Sequence, residues 1–448
     1  MSQQASLKRS LGLWDLILYG LIVIQPTAPM PNYGVFTNAG HGHVVTAILI
    51  AMVAMGFTAI SYGRMARVYP SAGSAYTYVG RELHPSLGYV TGWCITLDYI
   101  LNPLICTIWC AKAMADLLSG TALQLPYPGL VWPVFFALFF TALNLRGVQT
   151  SARINRVLCA VMGAVVLVFF WYALRYVFDL PHYPEAYFLR PFYDPETFSV
   201  SGVFHGTSVA VLTYIGFDGI STLSEEVENP RRNILLATVL VCLLAGVLSA
   251  LEVYGAQLIS SQTIFPDDEI EIAFIHVAAI AGGPLLAKVI SLTLLIATIG
   301  SGMGAQLGAA RLLYGMGRND AIPKRFFGAI HPVTRIPANN VLFVGAIVLV
   351  GAFLVSYDDG AELLNFGALI AFMGVNLASF THYVLRQGER TVSHIAVPIL
   401  GFAICLFIWA HLSNLALIAG TLWMLSGIAY GAWKTKGFRE SLVEFDAA

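Results

Sequence analysis

Long apolar stretches alternate with short polar segments along the whole chain. Twelve of these stretches are long enough to cross the roughly 30 Å hydrocarbon core of a bilayer as helices of about 20 residues. They cover residues 13–36, 43–63, 87–113, 127–147, 156–178, 202–222, 234–257, 284–310, 338–356, 362–384, 393–411 and 413–433. The pattern predicts an all-α integral membrane protein with twelve transmembrane helices.

Two of the apolar stretches contain helix breakers near their middle. Residues 24–31 read IQPTAPMP, and residues 214–219 read YIGFDG. Proline lacks an amide donor and restricts the residue before it, and paired glycines weaken a helix. We therefore expect breaks at about Gln25–Met30 in the first span and Ile215–Gly219 in the sixth. Broken helices at corresponding positions of two halves point to the substrate site of a secondary transporter.

The two breaks divide the chain into two sets of five spans. Residues 11–178 contain the first set and residues 200–385 the second. An odd number of spans inverts the second set relative to the first, so we predict a 5+5 inverted repeat. Helices 11 and 12, in residues 391–433, lie outside it. The predicted organisation is one transporter domain over residues 1–436, followed by a cytoplasmic tail over residues 437–448.

Composition and charge narrow the class of protein. Hydrophobic residues make up 57% and charged residues 11% of the 448-residue chain, against roughly 25% charged in soluble domains. The net charge of −1 gives no basis for a nucleic-acid partner. The six cysteines lie inside apolar stretches, so we interpret them as packing residues rather than disulfide or metal ligands. The N-terminus has no pattern of a cleavable signal peptide.

Basic residues predict the orientation. With twelve spans and a cytoplasmic N-terminus, only Lys112, Arg175, Arg190 and Lys288 of the 24 lysines and arginines fall outside. This distribution follows the rule that positive charge accumulates on the cytoplasmic side. Both termini are therefore predicted to be cytoplasmic.

Several stretches resemble signatures of the amino acid–polyamine–organocation (APC) superfamily. They are residues 60–78 after span two, 144–148 (NLRGV), 214–218 (YIGFD) with Glu225, Glu226, Asn229 and Pro230, and 310–323. Within that superfamily the chain is most similar to bacterial putrescine importers, at 58–63 (TAISYG), 73–78 (GSAYTY), 92–93, 97–99, 216–218, 222–226, 365–369 and 375–377. The resemblance implies a leucine-transporter-like fold in a bacterial inner membrane.

Two carboxylates lie deep in the apolar spans. Asp98 in span three is followed by Tyr99 and Asn102, and Asp218 lies at the second break. A mid-membrane carboxylate costs at least about 2.5–3.5 kcal/mol, and no basic residue lies deep in any span to pair with Asp98. Asp98 is therefore expected to anchor the ammonium of a substrate, and both acids are candidates for proton coupling.

The residues expected to contact the substrate come from the two breaks, from the surroundings of Asp98 in span three, and from positions that the resemblance implies. Phe217 follows the second break and resembles the gating position of the superfamily, so we expect it to cap the substrate from outside. The full set of expected contacts is Gln25, Thr27, Ala28, Asp98, Tyr99, Asn102, Tyr214, Gly216, Phe217, Asp218, Gly219 and Asn365.

Function is predicted from these features as import of a small amine, such as putrescine or another polyamine, driven by protons. An amino-acid importer or exchanger of the same superfamily is the alternative, and sodium coupling is left open because Ser301 in span eight could contribute to a sodium site. A channel would need a continuous polar pore and a sensor a soluble output domain. We find no nucleophile–base pair, phosphate loop or metal-ligand spacing, so neither an enzyme nor a cofactor is expected. The partners are the substrate, protons and the lipid bilayer.

One further acid has no clear place in this scheme. Glu252 lies in the outer third of span seven. It either faces an outer vestibule or forms a hydrogen bond with a neighbour, and the sequence does not distinguish the two.

Overall fold

The fold is described from a computed structural model that covers residues 11–70, 74–146, 152–223, 227–318, 320–331 and 336–437. Several residues used in the sequence predictions lie outside these ranges. They are residues 1–10, the signature residues 71–73, 147–148, 224–226 and 319, and the predicted tail from residue 438.

The described residues form fifteen α-helices joined by short connections. The helices are α1 (Leu13–Ile24), α2 (Pro29–Gly40), α3 (Val44–Val68), α4 (Ser74–Glu82), α5 (Pro85–Leu117), α6 (Pro128–Leu145), α7 (Ala152–Phe178), α8 (Val200–Ala210), α9 (Pro230–Ile259), α10 (Ala273–Arg318), α11 (Lys324–Phe327), α12 (Ala338–Gly351), α13 (Tyr357–Phe380), α14 (Val392–Trp409) and α15 (Asn414–Lys434). Short 3₁₀ segments cover Val211–Tyr214, Phe217–Leu223 and Ile270–Ile272, and a π-helical turn covers Thr381–Arg386. The described part of the chain is thus almost entirely helical.

Ten helical segments of the described chain are long and apolar enough to cross a membrane. The bent pair of α1 and α2 gives an eleventh span, and α12 is apolar but has only 14 residues. The chain is therefore a multi-pass membrane protein. The eighth predicted span corresponds to the second part of α10, which begins at Pro284 because Gly283, with φ 78°, interrupts the helix.

Small residues let the helices approach each other closely. A Cβ on Gly367 of α13 would overlap the carbonyl oxygen of Cys94 on α5, so these two helices touch backbone to backbone. Helix contacts through glycine are typical of membrane proteins, where apolar burial does not drive helices together as it does in water. The packing holds α5, the helix that carries Asp98, between α10 and α13.

Polar contacts fix each end of the bundle. We call the end where α1 begins the N-terminal side and the other end the opposite side. On the N-terminal side, the carboxylate of Glu82 on α4 accepts a hydrogen bond from the Tyr69 hydroxyl (2.6 Å) and lies 3.3 Å from Nη1 of Arg386 and 2.7 Å from Nδ1 of His382. Burial and the hydrogen bond to Glu82 raise the pKa of Tyr69 to about 12, so its hydroxyl remains a donor.

Aromatic side chains close the opposite side. Tyr33 of α2 makes edge contacts with Phe265 and Phe274, at ring-centroid distances of 5.9 and 5.7 Å. Phe274 in turn packs against Phe169 of α7 at 4.7 Å. We call these four residues the aromatic cluster. All four are at most 3% exposed, so water is excluded from this end of the bundle.

Candidate functional site

The first predicted break lies between α1 and α2. The two helices are bent by 57° relative to each other. Gln25, at the end of α1, has a φ of 70°, which residues with a side chain rarely adopt. Pro29 opens α2, where its missing amide costs nothing. The Gln25 side chain donates from Nε2 to the carbonyl of Ala297 on α10, at 3.2 Å. The break is confirmed, and its side chain ties it to α10.

The second predicted break follows α8. A 3₁₀ segment ends at Tyr214, Ile215 is extended, and Gly216 has a φ of 116°. The helical path resumes at Phe217 as a second 3₁₀ segment. The carboxylate of Asp218 accepts hydrogen bonds from the backbone amides of Gly216 and Gly219. This break is also confirmed. Its amides bind Asp218, and that of Gly219 also donates to the carbonyl of Gly216 at 3.1 Å.

The two breaks lie against each other. A Cβ placed on Gly216 would be 2.8 Å from Cγ1 of Val23, one residue before the end of α1. Only a residue without a side chain allows this approach, and only glycine readily adopts that φ. The sequence therefore brings both interruptions to one place in the bundle.

A cavity of about 530 Å³ lies beside the breaks. It is lined by Tyr19, Ile22, Val23, Gln25, Asp98, Tyr99, Asn102, Asn144, Leu158, Met162, Ile215, Gly216, Asp218, Gly219, Ala297, Gly300, Ser301, Met303, Gly304, Ala305, Leu307, Gly308 and Arg311. These positions extend from the breaks to Arg311 near the end of α10 and to Tyr19 in the middle of α1. The cavity therefore reaches the N-terminal side, whereas the aromatic cluster closes the opposite side.

Asp98 is the most unusual group in this cavity. Its side chain is only 8% exposed, and no hydrogen bond or ion pair joins its carboxyl to any other described residue. Asp218 lines the same cavity but is held by backbone amides. Arg311 also lines it, from the exposed N-terminal end. Asp98 is thus a buried acceptor that is available to a ligand.

Seven of the twelve expected contact residues line the cavity. They are Gln25, Asp98, Tyr99, Asn102, Gly216, Asp218 and Gly219. The other five, Thr27, Ala28, Tyr214, Phe217 and Asn365, do not line it in this conformation.

The polar members of those five use their side chains within the protein. Tyr214 donates its hydroxyl to the carbonyl of Ile48 at 2.8 Å, and Asn365 donates to the carbonyl of Ser208 at 2.9 Å. Thr27 contacts the sulfur of Met162, which itself lines the cavity.

Phe217 is placed away from the cavity as well. Its fully buried ring packs between Tyr62 and Phe372, at centroid distances of 5.5 and 5.3 Å. The gating role of Phe217 stays a prediction, and it requires a conformation in which this ring leaves its present contacts.

The cavity also contains residues that were not expected. Tyr19, Ile22 and Val23 share one face of α1 at helical spacing, and Ala297, Gly304 and Arg311 recur at multiples of three to four residues along α10. That spacing was visible in the sequence. It could not be distinguished from ordinary helix packing, which uses the same small residues. Ser301, considered for sodium, lines the cavity too.

Glu252 does not occupy either place considered for it. Its side chain is fully buried, and neither carboxyl oxygen has a hydrogen-bond partner among the described residues. It therefore faces no vestibule in this conformation and is not bonded to a neighbour.

A membrane-spanning helical chain whose two broken helices meet beside a polar cavity has the architecture of a secondary transporter. Sequence comparison agrees. The sequence profile of the amino acid permease family matches residues 30–445, and the chain belongs to that family.

Three relatives show the range of this likeness. The chain is 32% identical to the low-affinity putrescine importer PlaP of Escherichia coli, over 99% of this chain and 98% of that protein. It is 26% identical to the methylthioribose transporter and 27% identical to the branched-chain amino acid permease BcaP, both of Bacillus subtilis. Each of these two matches covers 95% of this chain and 93% of the relative. The expected membership of the APC superfamily and the likeness to putrescine importers are confirmed. The chain is a transporter of small molecules rather than an enzyme.

Proposed function

We propose that this protein imports a small amine, such as putrescine or another polyamine, across a bacterial inner membrane by alternating access coupled to protons. The observation that carries the proposal is the carboxyl of Asp98, which lies in the cavity without a partner among the described residues. An ammonium group is the ligand that such an acceptor binds best, because both the charge and the hydrogen bonds are satisfied together.

The surroundings of Asp98 favour a cation. Asp218 contributes a second carboxylate to the same cavity, and the rings of Tyr19 and Tyr99 line it, where they can make cation–π contacts. A linear diamine has an ammonium for each acid. The likeness to a putrescine importer over nearly the whole chain supports the same class of substrate.

An amino acid is the alternative substrate, since relatives include an amino acid permease. Its carboxylate would need a cationic or amide site. The amides of Gly216 and Gly219 already bind Asp218, which leaves Arg311 at the exposed end of the cavity as the candidate. This arrangement favours the amine, because the anion site lies far toward the N-terminal side rather than at the breaks.

The proposed topology has twelve spans, with α12 as the ninth, in a 5+5 inverted repeat. Both termini are cytoplasmic, so this conformation opens to the cytoplasm. Burial favours the protonated form of Asp98 until an ammonium replaces the proton. Asp218, held at the break, is the group proposed to couple protonation to movement of the sixth span. Ser301 would contribute if sodium rather than the proton drove transport.

Uptake in proteoliposomes tests the proposal. Labelled putrescine, lysine and leucine are compared with an imposed proton gradient, with a sodium gradient and with neither. We expect putrescine to accumulate only with the proton gradient. Accumulation of leucine but not putrescine would favour the amino-acid alternative, and dependence on sodium would contradict proton coupling.

Two variants divide the roles of the acids. Asp98→Asn should reduce putrescine binding at least about 100-fold, because an amide cannot replace an ion pair worth a few kcal/mol in a buried site. Asp218→Asn should retain binding and lose the pH dependence of uptake. Asp179→Asn, which removes an equal charge at an exposed position outside the cavity, is the control. Full-strength binding by Asp98→Asn would overturn the assignment of the anchor.

A further inference from the structure

Glu252 is a buried carboxyl that lies outside the cavity. It lies on α9 seven residues before the helix ends at Ile259, about 10 Å from that end at 1.5 Å per residue. None of the described residues of α9 lines the cavity. Its neighbours on the same helix face, Ser249 and Ala256, are also buried.

The charge state of Glu252 follows from these surroundings. The side chain is 0% exposed, and both carboxyl oxygens lack a hydrogen-bond partner among the described residues. An isolated ionised carboxylate in an apolar interior is far more costly than a neutral one. A membrane interior adds no water that could solvate it. Glu252 must therefore carry a proton in this conformation.

No charged group in the described chain compensates it. Titratable residues near the Glu252 end of α9 lie on α9 itself and on the helical elements packed against it. They are Tyr254 on α9, Tyr33 on α2, Tyr172, Arg175 and Tyr176 on α7, Tyr214 in the first 3₁₀ segment, and His276 and Lys288 on α10. Residues 44–61 of α3 carry no titratable group. The loop before α3, which Gln257 of α9 contacts, carries His41 and His43, and both ring nitrogens of His43 are bonded to backbone groups of Gly40 and Asp194. The Tyr187 hydroxyl donates to the carbonyl of Leu258 on α9. Asp15, Tyr19 and Asp218 belong to segments that pack on the other end of α9. Arg175 is exposed and His276 partly exposed, and they already pair with Asp179 and Glu269. Lys288 is exposed.

The position of Glu252 connects it to the closed end of the molecule. A Cβ placed on Gly255, three residues further along α9, would lie 3.4 Å from the ring of Phe169, so this glycine faces that ring. Residues three apart are neighbours on a helix. Phe169 belongs to the aromatic cluster that excludes water from the opposite side. Glu252 thus lies beside the packing that must separate if the opposite side is to open.

We propose that Glu252 is a proton-binding site, separate from the cavity, that must be protonated for the opposite side to close. When the aromatic cluster separates, water reaches the carboxyl and allows it to ionise. Closure then requires a proton from that side. The inference rests on the proposed alternating access but not on proton-driven accumulation, and of its two tests only the counterflow assay uses the proposed substrate.

The linkage has a definite sign. One proton is bound in the closed conformation and is lost in the open one, so alkaline pH opposes closure. Above the pH at which the hydrated carboxyl ionises, the closed-to-open ratio falls about tenfold per pH unit. A neutral side chain at position 252 removes this dependence.

Infrared titration of the purified, substrate-free protein tests the site directly. A protonated carboxyl gives a carbonyl stretching band that an ionised one lacks. We expect Glu252→Gln to lose one such band at neutral pH. Asp98→Asn is the matched control and should leave the Glu252 band in place. A Glu252→Gln spectrum identical to that of the unmodified protein in this region would overturn the proposal.

Counterflow of labelled putrescine, with equal pH on both sides of the liposome, tests the consequence. The rate for the unmodified protein should fall by up to about tenfold per pH unit at alkaline pH, and Glu252→Gln should fall less steeply over the same range, because only Asp98 and Asp218 still titrate. A parallel fall in the variant would refute the role. If Glu252→Gln does not fold, Glu252→Met fills the site with an apolar chain and should show the same shallower fall. Failure of proton-driven accumulation with this pH profile intact would contradict the proposed coupling and leave the Glu252 site standing.

Discussion

The contact between the two breaks makes a strong prediction about Gly216. Gly216→Ala places a methyl group 2.8 Å from Cγ1 of Val23, on a residue whose φ is 116°. A side chain at that φ costs about 1–3 kcal/mol in backbone strain. Overpacking against Val23 adds about 1–3 kcal/mol. We therefore expect Gly216→Ala to lower the free energy of unfolding by about 2–6 kcal/mol.

A double-mutant cycle separates the two contributions. Val23→Ala removes the atom that the new methyl group meets but leaves the backbone strain. In the double variant about 1–3 kcal/mol of the loss should be recovered. Unfolding by sodium dodecyl sulfate in mixed micelles gives the four free energies. Gly56→Ala is the control. Gly56 lies inside α3, has no atom within 4 Å of an added Cβ and no positive φ. That change should stabilise the protein by about 0.5–1 kcal/mol.

The outcomes distinguish the geometry from a generic effect of alanine. If Gly216→Ala is as stable as Gly56→Ala, the second break does not have the backbone described here. If Val23→Ala recovers nothing while Gly216→Ala is strongly destabilised, strain at Gly216 acts alone and the two breaks are not in contact.

Two further predictions concern buried side chains outside the cavity. Phe217→Ala should lower the melting temperature, because removing a buried aromatic ring costs about 3–5 kcal/mol; unchanged stability with weaker amine binding would instead support a gate. Glu82→Gln should destabilise the protein by about 1–3 kcal/mol, as measured by unfolding in mixed micelles. Arg386→Gln should cost less, because Arg386 is half exposed whereas Glu82 is fully buried; equal losses would contradict the view that burial of Glu82 sets the size of the effect.

The breaks and the buried acid could be predicted because their causes are local. Proline and glycine change the backbone wherever they occur, so Pro26, Pro29 and Gly216 interrupted their spans as expected. Asp98 was identified because a lone carboxylate in an apolar span needs an explanation that does not depend on the fold.

The direction of individual side chains could not be predicted. Once a helix is broken, its residues no longer follow the spacing of 100° per residue, so Tyr214 and Thr27 could not be assigned to the cavity or away from it. Asn365 is directed to a backbone carbonyl that only the tertiary structure places beside it. Which end of the cavity is open depends on the conformation, so Arg311 was counted only as a charge.

Neutral hydrogen bonds hold the opposite side closed, and such contacts suit a protein that must open this side again. The Tyr357 hydroxyl donates to Asn32 at 2.6 Å, and Asn38 exchanges two hydrogen bonds with the backbone of Phe265. Trp109 donates to the carbonyl of Glu271 at 2.8 Å. These four neutral hydrogen bonds contribute about 0.5–1.5 kcal/mol each, or about 2–6 kcal/mol together.

A shift between two conformations from 1:99 to 99:1 requires about 5.5 kcal/mol of differential binding. The summed free energy of the four neutral hydrogen bonds is therefore comparable to what the binding of one ammonium and one proton can offset. A closure built from buried ion pairs would resist opening more strongly, because separating each pair leaves two charges without partners. For a transporter that works by alternating access, these neutral contacts keep both conformations within reach. The pair of His205 and Glu362, 3.3 Å apart, is a further contact on this side that joins α8 to α13. The neutral contacts leave the deciding charges at Asp98, Asp218 and Glu252, where substrate and protons can act on them.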